Sequence, residues 1–594
     1  MLRTHTCGEL TKRDIATPVQ LCGWVHSRRD HGGVIFIDLR DRYGLTQVVF
    51  DPKHNNEVHE TAEHLGREWV LRVTGKVRAR PAEMKNDKLP TGDIEVITDH
   101  LDILNRSAVP PLEIDDRKEA SEDLRLKYRY LDLRRPKMQH NLFIRHTVAQ
   151  ATREYLSSQG FLEIETPMLI KSTPEGARDY VVPSRRHPGK FYALPQSPQL
   201  YKQICMVAGL DRYFQIARCL RDEDNRVDRQ PEFTQIDIEM SFCTQEDIFL
   251  VGEGLMKHVF KKALAFDLPA PFPRIKYDDA MARYGSDKPD IRFGLELTNV
   301  TSIVSRSDFS IFKQAIDKKG IIAALNAKKC GGLSRTEIEE LTALAKTYHA
   351  SGLAWMKVKD GKLDSSIVKY FSPAIQEELM KHLQAEEGDL LFFVADKPKI
   401  ALGALGQVRL CLGEKLKLIP HEQFAFCWIV DFPLFEWNEE EHKWDAAHHP
   451  FTMPKEEHIS MIDSNPEAVR AQCYDLVLNG VEICSGSIRI NRSDIQEKVL
   501  SAVGLSPADL KEKFGFLIEA FQYGAPPHGG FAPGLDRLCS MMLGTKDIRE
   551  VIAFPKNKAA QGLMENSPSP LAQQQMRELH LKTDVTHPGE KREL

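Results

Sequence analysis

The sequence predicts an α+β protein of several domains, and three observations carry that expectation. At 594 residues the chain exceeds what a single hydrophobic core organises. Its first hundred residues are a series of short β-branched and aromatic runs broken by turn residues. Further on, a stretch of different character interrupts two regions rich in charged motifs. Hydrophobic residues make up 42% and charged residues 28% of the chain, ordinary for a soluble globular protein. No apolar run is long enough to span a bilayer, and the start MLRTHTCGEL lacks the apolar core of a signal peptide. A soluble cytoplasmic protein with no membrane partner is therefore expected. The 11 cysteines, from Cys7 to Cys539, contain no CxxC pair, which argues against a zinc ribbon or a thioredoxin-like site and suits a reducing compartment. A net charge of −5 argues against a globally basic nucleic-acid coat but not against a local basic surface.

The five candidate strands of residues 1–105 are VQLCGWV, GVIFIDLRD, LTQVVFD, WVLRVTGKVRAR and DIEVITDHLDIL, with Gly44, Gly75 and Gly92 interrupting or bordering them. Five strands in so small a unit point to a closed barrel of the OB type. Residues 106–138, opening with SAVPPLEIDDRKEASED, hold paired prolines and many charges with little apolar periodicity, and read as a hinge or linker. A helix is expected from about His140 to Gln159, stopped by Gly160, followed by a strand over FLEIETPML ending at Pro167. In residues 289–412, runs such as KKGIIAALNAKKCGG and SRTEIEELTALAKTYHASG alternate with strand-like GLAWMKV and GDLLFFVAD, which reads as an inserted α+β module. It separates residues 139–288 from residues 413–560, and residues 561–594 form a polar C-terminal extension.

The densest chemistry lies in FQIARCLRDEDNRVDRQPEFTQIDIEMSF (Phe214 to Phe242), which reads as a strand–loop–strand hairpin. It sets Arg221, Glu223, Arg229 and Phe233 around one ligand: the guanidinium fork suits phosphate oxygens, the carboxylate an exocyclic amine, and the ring a base. CYDLVLNGVEICSGSIRI (Cys473 to Ile490) reads as two strands joined by an Asn479–Gly480 turn. Asp475 and Glu482 can present carboxylates across it, as Mg²⁺ requires, although Asp475 is equally readable as a surface strand charge. His448 and His449 are adjacent, poor spacing for two ligands of one metal, and fit a polar loop or one buried ring.

RDE followed by RQPEF resembles motif 2 of the class II aminoacyl-tRNA synthetases, EIETPML with Pro167 resembles motif 1, and GGFAPGLDRL (Gly529 to Leu538) resembles motif 3. The resemblance implies an antiparallel-sheet catalytic domain built from residues 139–288 and 413–560, and a homodimer formed through motif 1. It implies Arg221 on the α-phosphate, Glu223 and Phe233 on adenine, and Arg537 stacking on adenine's other side or meeting the γ-phosphate, these two arginines being catalytic. Asp222, Gln230, Glu482, Gly534, Leu535 and Asp536 complete the implied ATP site, with Mg²⁺ held by Asp475 and Glu482. TPEGARDYVVPS and ALPQSPQLYKQ resemble the aspartate-specific branch. They imply Glu175 and Gln199 near the substrate α-ammonium, Ser197 on the same loop, and Lys202 at the side-chain carboxylate. Asp237, His448 and His449 join that site, and Arg489 is expected to read the side chain through a bidentate pair. Pro533 departs from the bulkier residue expected in motif 3.

The implied reaction is ATP-dependent attachment of L-aspartate to tRNA(Asp) through an aspartyl-adenylate. The barrel resembles the family's anticodon-binding domain, which implies Arg28, His31, Phe36, Gln47, Arg78 and Glu95 as tRNA contacts. Phe36 is either a stacking platform or part of the barrel core. His31 before glycine resembles enzymes that also charge tRNA(Asn); strict tRNA(Asp) specificity, or a related asparagine or lysine ligase, is the alternative. The insertion resembles the GAD domain of bacterial-type enzymes. A non-catalytic tRNA-binding relative would be expected to lack part of Arg221, Glu223, Glu482 and Arg537, and none is missing. A single-strand binding protein would explain only the first domain.

Overall fold

The computed structural model describes residues 1–173, 177–224, 226–504 and 506–583. The described chain folds as two compact units: Met1–Phe143 with Arg549–Pro570, and Ile144–Ile548 with residues 571–583.

In the first unit the strands Pro18–His31, Val34–Arg40, Leu45–Phe50, Ile94–Asn105 and Val70–Ala79 close, in that spatial order, into a five-stranded barrel. Alternation dictates its core: Val19, Leu21 and Val25 from the first strand and Ile35, Ile37 and Leu39 from the second point inward. The first two strands turn at Gly32 and Gly33, both at positive φ (63° and 77°), the backbone a two-residue hairpin demands. Residues 122–138 are not a loose linker. They form the helices Glu122–Lys127 and Arg129–Asp132 and the start of Pro136–Ser158. Leu124, Tyr128 and Leu131 pack on Leu112 and Ile114, and ion pairs add to that small core. Fully buried Asp132 accepts from Arg125 (3.0 Å), Arg129 (2.6 Å) and Arg135 (2.7 Å). Arg129 also donates to the carbonyls of Arg549, Ile552 and Ala553.

The second unit is organised on an eight-stranded sheet in the order Arg274–Lys276, Phe426–Val430, Cys473–Leu478, Val481–Ile488, His528–Phe531, Glu232–Ser241, Arg212–Leu220, Leu162–Glu163. Its two outermost pairings are parallel and every pairing between them is antiparallel. The expected strand over FLEIETPML shrinks to Leu162–Glu163, one edge of the sheet, paired among the described residues only with Tyr213 and Phe214 of the neighbouring strand. The preceding helix is longer than expected, opening at Pro136, where proline's fixed φ suits a first helical position. Gly160, at φ 79°, follows its end.

The inserted module is a five-stranded antiparallel sheet in the order Leu297–Asn299, Ile321–Ala327, Leu390–Asp396, Ala354–Lys359, Lys362–Asp364. Ile321–Ala327 lies inside the run KKGIIAALNAKKCGG, which the sequence sets apart from the strand-like segments, yet it is a strand. Helices cover both faces. Ala323, Leu325, Leu390, Phe392 and Val394 join one core with the helices Arg335–Thr347 and Pro398–Lys415. Ile322, Ala324, Leu391 and Phe393 join a second core with Ser310–Asp317 and Pro373–His382. A strand buried on both faces has no polar alternation to betray it.

Candidate active site

One cavity of about 610 Å³ in the second unit gathers residues from the central strands and the loops at their ends. The strand Glu232–Ser241 supplies one wall, because residues two apart share a face: Phe233, Gln235 and Asp237 line the cavity, and Glu239 continues the row. Gly530, paired with Glu239 across the sheet, makes room for that carboxylate. A Cβ there would stand 2.1 Å from Glu239 Oε2.

At one end four buried charges form a connected set. Lys202 Nζ lies 3.0 Å from Asp237 Oδ2 and 3.2 Å from Glu239 Oε2. Arg489 donates to the two Glu239 oxygens at 3.0 and 3.3 Å and to Ser487 Oγ at 2.7 Å. All four charged side chains are at most 5% exposed. Burial pushes the Asp237 carboxyl up to about 6, with Lys202 opposing and Glu239 adding to the rise. Burial would raise Glu239 as well, but Arg489 and Lys202 outweigh it and hold that carboxyl below its usual range. His449 is pushed down to about 3, first by burial and then by Arg489 and Lys202, so its ring is neutral at pH 7. His448 keeps access to solvent yet is also shifted downward, chiefly by the protein packed around it.

Toward the other end the Arg221 guanidinium sits over the Phe233 ring, 5.1 Å from its centroid. Arg229 pairs with Glu223 at 3.2 Å, and Gln230 is buried beside them. Arg537 donates to the Glu482 carbonyl at 2.8 Å and lies 3.6 Å from Asp228. Gly534, preceding the helix Leu535–Met542, donates to Ile483 O. The expected Asn479–Gly480 turn is present, with both residues at positive φ, joining Cys473–Leu478 to Val481–Ile488. Asp475 on the first of these strands is 4% exposed. It is therefore not a surface charge. Burial and then the neighbouring Glu482 carboxylate push its acid form well up.

Most of the sequence-predicted residues thus converge: Ser197, Gln199, Lys202, Arg221, Glu223, Gln230, Phe233, Asp237, His448, His449, Glu482, Arg489, Gly534, Asp536 and Arg537 all line the cavity. Asp222 and Leu535 do not, and Asp475 stands behind the lining. Leu535 is core, 2% exposed. Asp536 has a structural engagement: one oxygen accepts the Thr234 N–H at 2.7 Å and the other pairs with Arg145. Arg489 differs from expectation in that its Nε–Nη2 edge is already taken by Glu239. Glu175 lies outside the described residues. Sequence reasoning did not single out Glu239, Gln235 or Lys288. The first two were findable, since the alternation Phe233, Gln235, Asp237, Glu239 is visible in FTQIDIE.

Three buried polar atoms at this site have no hydrogen-bond partner among the described residues: Gln199 Nε2, Asp237 Oδ1 and Asp475 Oδ1. An unmet buried donor or acceptor costs about 1–3 kcal/mol, more when charged. One donor and two acceptors left open together are what a polar, partly cationic ligand would satisfy.

On the barrel, Phe36 is half-buried between inward-pointing Ile35 and Ile37, so it belongs to the outer face. Gln47 and Glu95 are buried and joined at 2.8 Å, Arg78 pairs with Glu95 at 2.8 Å, and Arg29 reaches Gln47 at 3.3 Å. Arg28, exposed, donates to the Glu63 carbonyl, and His31 stands exposed at the hairpin tip.

A barrel of this kind together with an antiparallel sheet carrying these motifs defines an aminoacyl-tRNA synthetase of the second class. Residues 121–558 match the family model of class II tRNA synthetases (D, K and N), and residues 19–104 match that of the OB-fold nucleic acid binding domain. The chain belongs to the class II tRNA synthetases. An Aspartate--tRNA(Asp/Asn) ligase of Treponema denticola is 54% identical over 584 residues, covering 98% of this chain and 99% of its own. One from Caldanaerobacter subterraneus subsp. tengcongensis is 52% identical over 583 residues, 98% of each. The fold is similar to that of asparaginyl-tRNA synthetase from Pyrococcus horikoshii complexed with asparaginyl-adenylate, with a TM-score of 0.60 at 22% identity, covering 93% of this chain and 98% of that one. Among the described residues no helix is long and apolar enough to cross a membrane.

Proposed function

We propose that the protein activates L-aspartate with ATP and transfers it to tRNA(Asp) and tRNA(Asn) in the cytoplasm. The observation that carries this reading is the buried set Lys202, Asp237, Glu239 and Arg489, opening with unpaired Gln199 Nε2 and Asp237 Oδ1 onto the cavity that also holds Arg221 and Arg537. A substrate with an ammonium and two carboxylates needs acceptors and cations side by side. Asp237 and Gln199, with Glu175, Ser197, His448 and His449, receive the amino acid's α end, and Lys202 and Arg489 its side chain. Asparagine's neutral amide would leave the buried cations undercompensated.

In this reading the α-carboxylate attacks the α-phosphorus, pyrophosphate leaves, and the acyl group then passes from the adenylate to the terminal ribose 3′-hydroxyl of tRNA, releasing AMP. Phe233 and Glu223 hold the adenine, with Gln230 and Gly534 close by. Arg221 and Arg537 balance phosphate charge, so catalysis rests on positioning and electrostatics without a protein nucleophile. Asp475 and Glu482 fit a hard divalent ion: a buried Asp475 carboxyl, pushed up by burial and then by the Glu482 carboxylate beside it, with one oxygen open, calls for a cation. Mg²⁺ bound by them would supply charge neutralisation on the phosphates. Phe36, His31, Arg28 and Arg78, with Gln47 and Glu95 beneath them, form the anticodon face. Leu162, Met168 and Leu169, each 43–52% exposed along the motif 1 segment, support a homodimer through that edge.

ATP–pyrophosphate exchange with aspartate, asparagine and lysine tests the amino acid, and charging of the two purified tRNAs tests the nucleic acid. Exchange is expected with aspartate alone and charging with both tRNAs. Exchange driven by asparagine or lysine would overturn the assignment, and inactivity on tRNA(Asn) would restrict it to tRNA(Asp). Arg221→Ala should abolish exchange in a folded enzyme.

A further inference from the structure

His448, Cys473 and Asp475 offer a nitrogen, a sulfur and a carboxylate oxygen that all lie within 4.8 Å of one another. Among the described residues this is the one such group of three metal-ligating side chains. Cys473 and Asp475 are two apart on the strand Cys473–Leu478 and therefore share a face. Their pairing partners across the sheet are Ser487 and Ser485, small residues that leave the face open. His448 arrives from the loop after the strand Lys443–Ala446, its ring edge-on to Phe432 at 4.6 Å. Asp475 is 4% exposed and its Oδ1 has no partner, while Cys473 and His448 both line the cavity, giving an ion a path from solvent.

We propose that these three residues form a zinc(II) site, and that zinc held there blocks amino-acid activation. The donor set decides the metal. A hard ion such as Mg²⁺ takes oxygen ligands, whereas Zn²⁺ binds thiolate, imidazole and carboxylate together and accepts water as the fourth ligand. Zinc ligands sit about 2.0–2.3 Å from the ion, so the three atoms must close by roughly 1 Å. The loop carrying His448 supplies that movement. On binding, the Cys473 S–H bond and the O–H bond of the Asp475 acid form break, their protons pass to solvent, and zinc–sulfur and zinc–oxygen bonds form with no change of oxidation state. Zinc then occupies Asp475 and His448, two groups the proposed function uses; the inhibitory half of the inference rests on that reading, and the binding half does not.

The test uses the full chain, stripped of metal. Zinc is titrated in competition with a chromophoric chelator, and cobalt(II) is added separately to read the thiolate-to-metal charge-transfer absorption. ATP–pyrophosphate exchange in excess magnesium is then followed as zinc is added. One zinc per chain is expected, together with the charge-transfer band and loss of exchange. Cys473→Ala, and Cys473→Ser as the conservative variant, should weaken zinc binding by at least about tenfold, remove the band and need correspondingly more zinc for inhibition. Their exchange without zinc should stay near that of the parent. The absence of a thiolate band in the parent chain, or equal zinc binding by Cys473→Ala, overturns the site. Zinc bound with exchange unaffected overturns the inhibition. Exchange absent in the parent chain before zinc is added would instead defeat the functional reading, leaving chelator and spectrum to decide the site.

Discussion

Lowering the pH from 7 to 5 should weaken aspartate binding about tenfold through Asp237 alone. In the proposed site this carboxylate, with Oδ1 open, receives the substrate ammonium, and burial pushes its acid form up to about 6. A carboxyl titrating near 6 is about nine-tenths ionised at pH 7 and about one-tenth at pH 5, which gives the factor of ten. The sign for folding follows from the same rise. The folded value lies above the ordinary 3.8, so Asp237 contributes stability that is complete below 3.8 and lost as pH rises to about 6. Raising a carboxyl from 3.8 to about 6 costs roughly 3 kcal/mol at neutral pH, which the bound ammonium would offset. Titration calorimetry of aspartate, at constant magnesium and with a non-hydrolysable ATP analogue, reads the affinity at each pH. Substrate carboxylates ionise near 4 and add little across this window. Asp237→Asn should bind weakly and without pH dependence. A flat affinity from pH 7 to 5 in the parent enzyme, or a tenfold drop that survives in Asp237→Asn, would refute the reasoning.

Gly530→Ala should place a methyl against Glu239 Oε2 and the Ile238 carbonyl, both at 2.1 Å, and so displace the carboxylate that Arg489 and Lys202 share. We expect a destabilisation of about 1–3 kcal/mol in denaturant unfolding and loss of aspartate-dependent exchange, with ATP binding retained. Asp132→Asn should destabilise the first unit by roughly 3–5 kcal/mol, since three arginines lose their shared carboxylate. Burial would raise Asp132, but Arg125, Arg129 and Arg135 win and hold it low, so its stabilisation is present above the ordinary 3.8 and lost as pH falls through the folded value. Acid unfolding of Asp132→Asn should therefore be less steep than that of the parent chain. Phe36→Ala should raise the tRNA KM by about tenfold or more, as loss of one base stack implies, and leave tRNA-independent exchange unchanged.

The elements legible in the sequence are those whose pattern is local. The five barrel strands alternate cleanly, and the Asn479–Gly480 turn announces its hairpin. RDE with RxxxF marks which loop faces the cavity. What stayed hidden depends on distant partners. Ile321–Ala327 is uniform because both of its faces are covered. Residues 122–138 look like linker because their short apolar stripe, Leu124, Tyr128 and Leu131, is set among the arginines that Asp132 gathers from positions the sequence does not mark as partners. Asp475 reads as an ordinary strand charge until the sheet buries it beside Glu482. Glu239 was written in QIDIE, but nothing local marks it as the partner of Arg489, which lies 250 residues further on.

Glu239 changes how the proposed specificity works. With its Nε–Nη2 edge bound to Glu239, Arg489 is not a free fork waiting for a substrate carboxylate. It is oriented in advance, and so is Lys202, which the same carboxylate and Asp237 hold from two sides. Orientation of this kind removes the rotamer entropy that two long cationic side chains would otherwise lose on binding. It also sets the charge balance. With Asp237 and Glu239 ionised, the two cations are matched, and a substrate carboxylate enters only if it brings an ammonium to Asp237. Aspartate carries both groups. Succinate carries the carboxylates without the ammonium, and asparagine the ammonium without the second carboxylate. On this account each should compete poorly with aspartate in exchange. An Asp237→Asn enzyme, which keeps both cations but has one acceptor charge fewer, should move its preference toward succinate. Unchanged competition by succinate in that variant would show that the cations, rather than the balance, select the ligand.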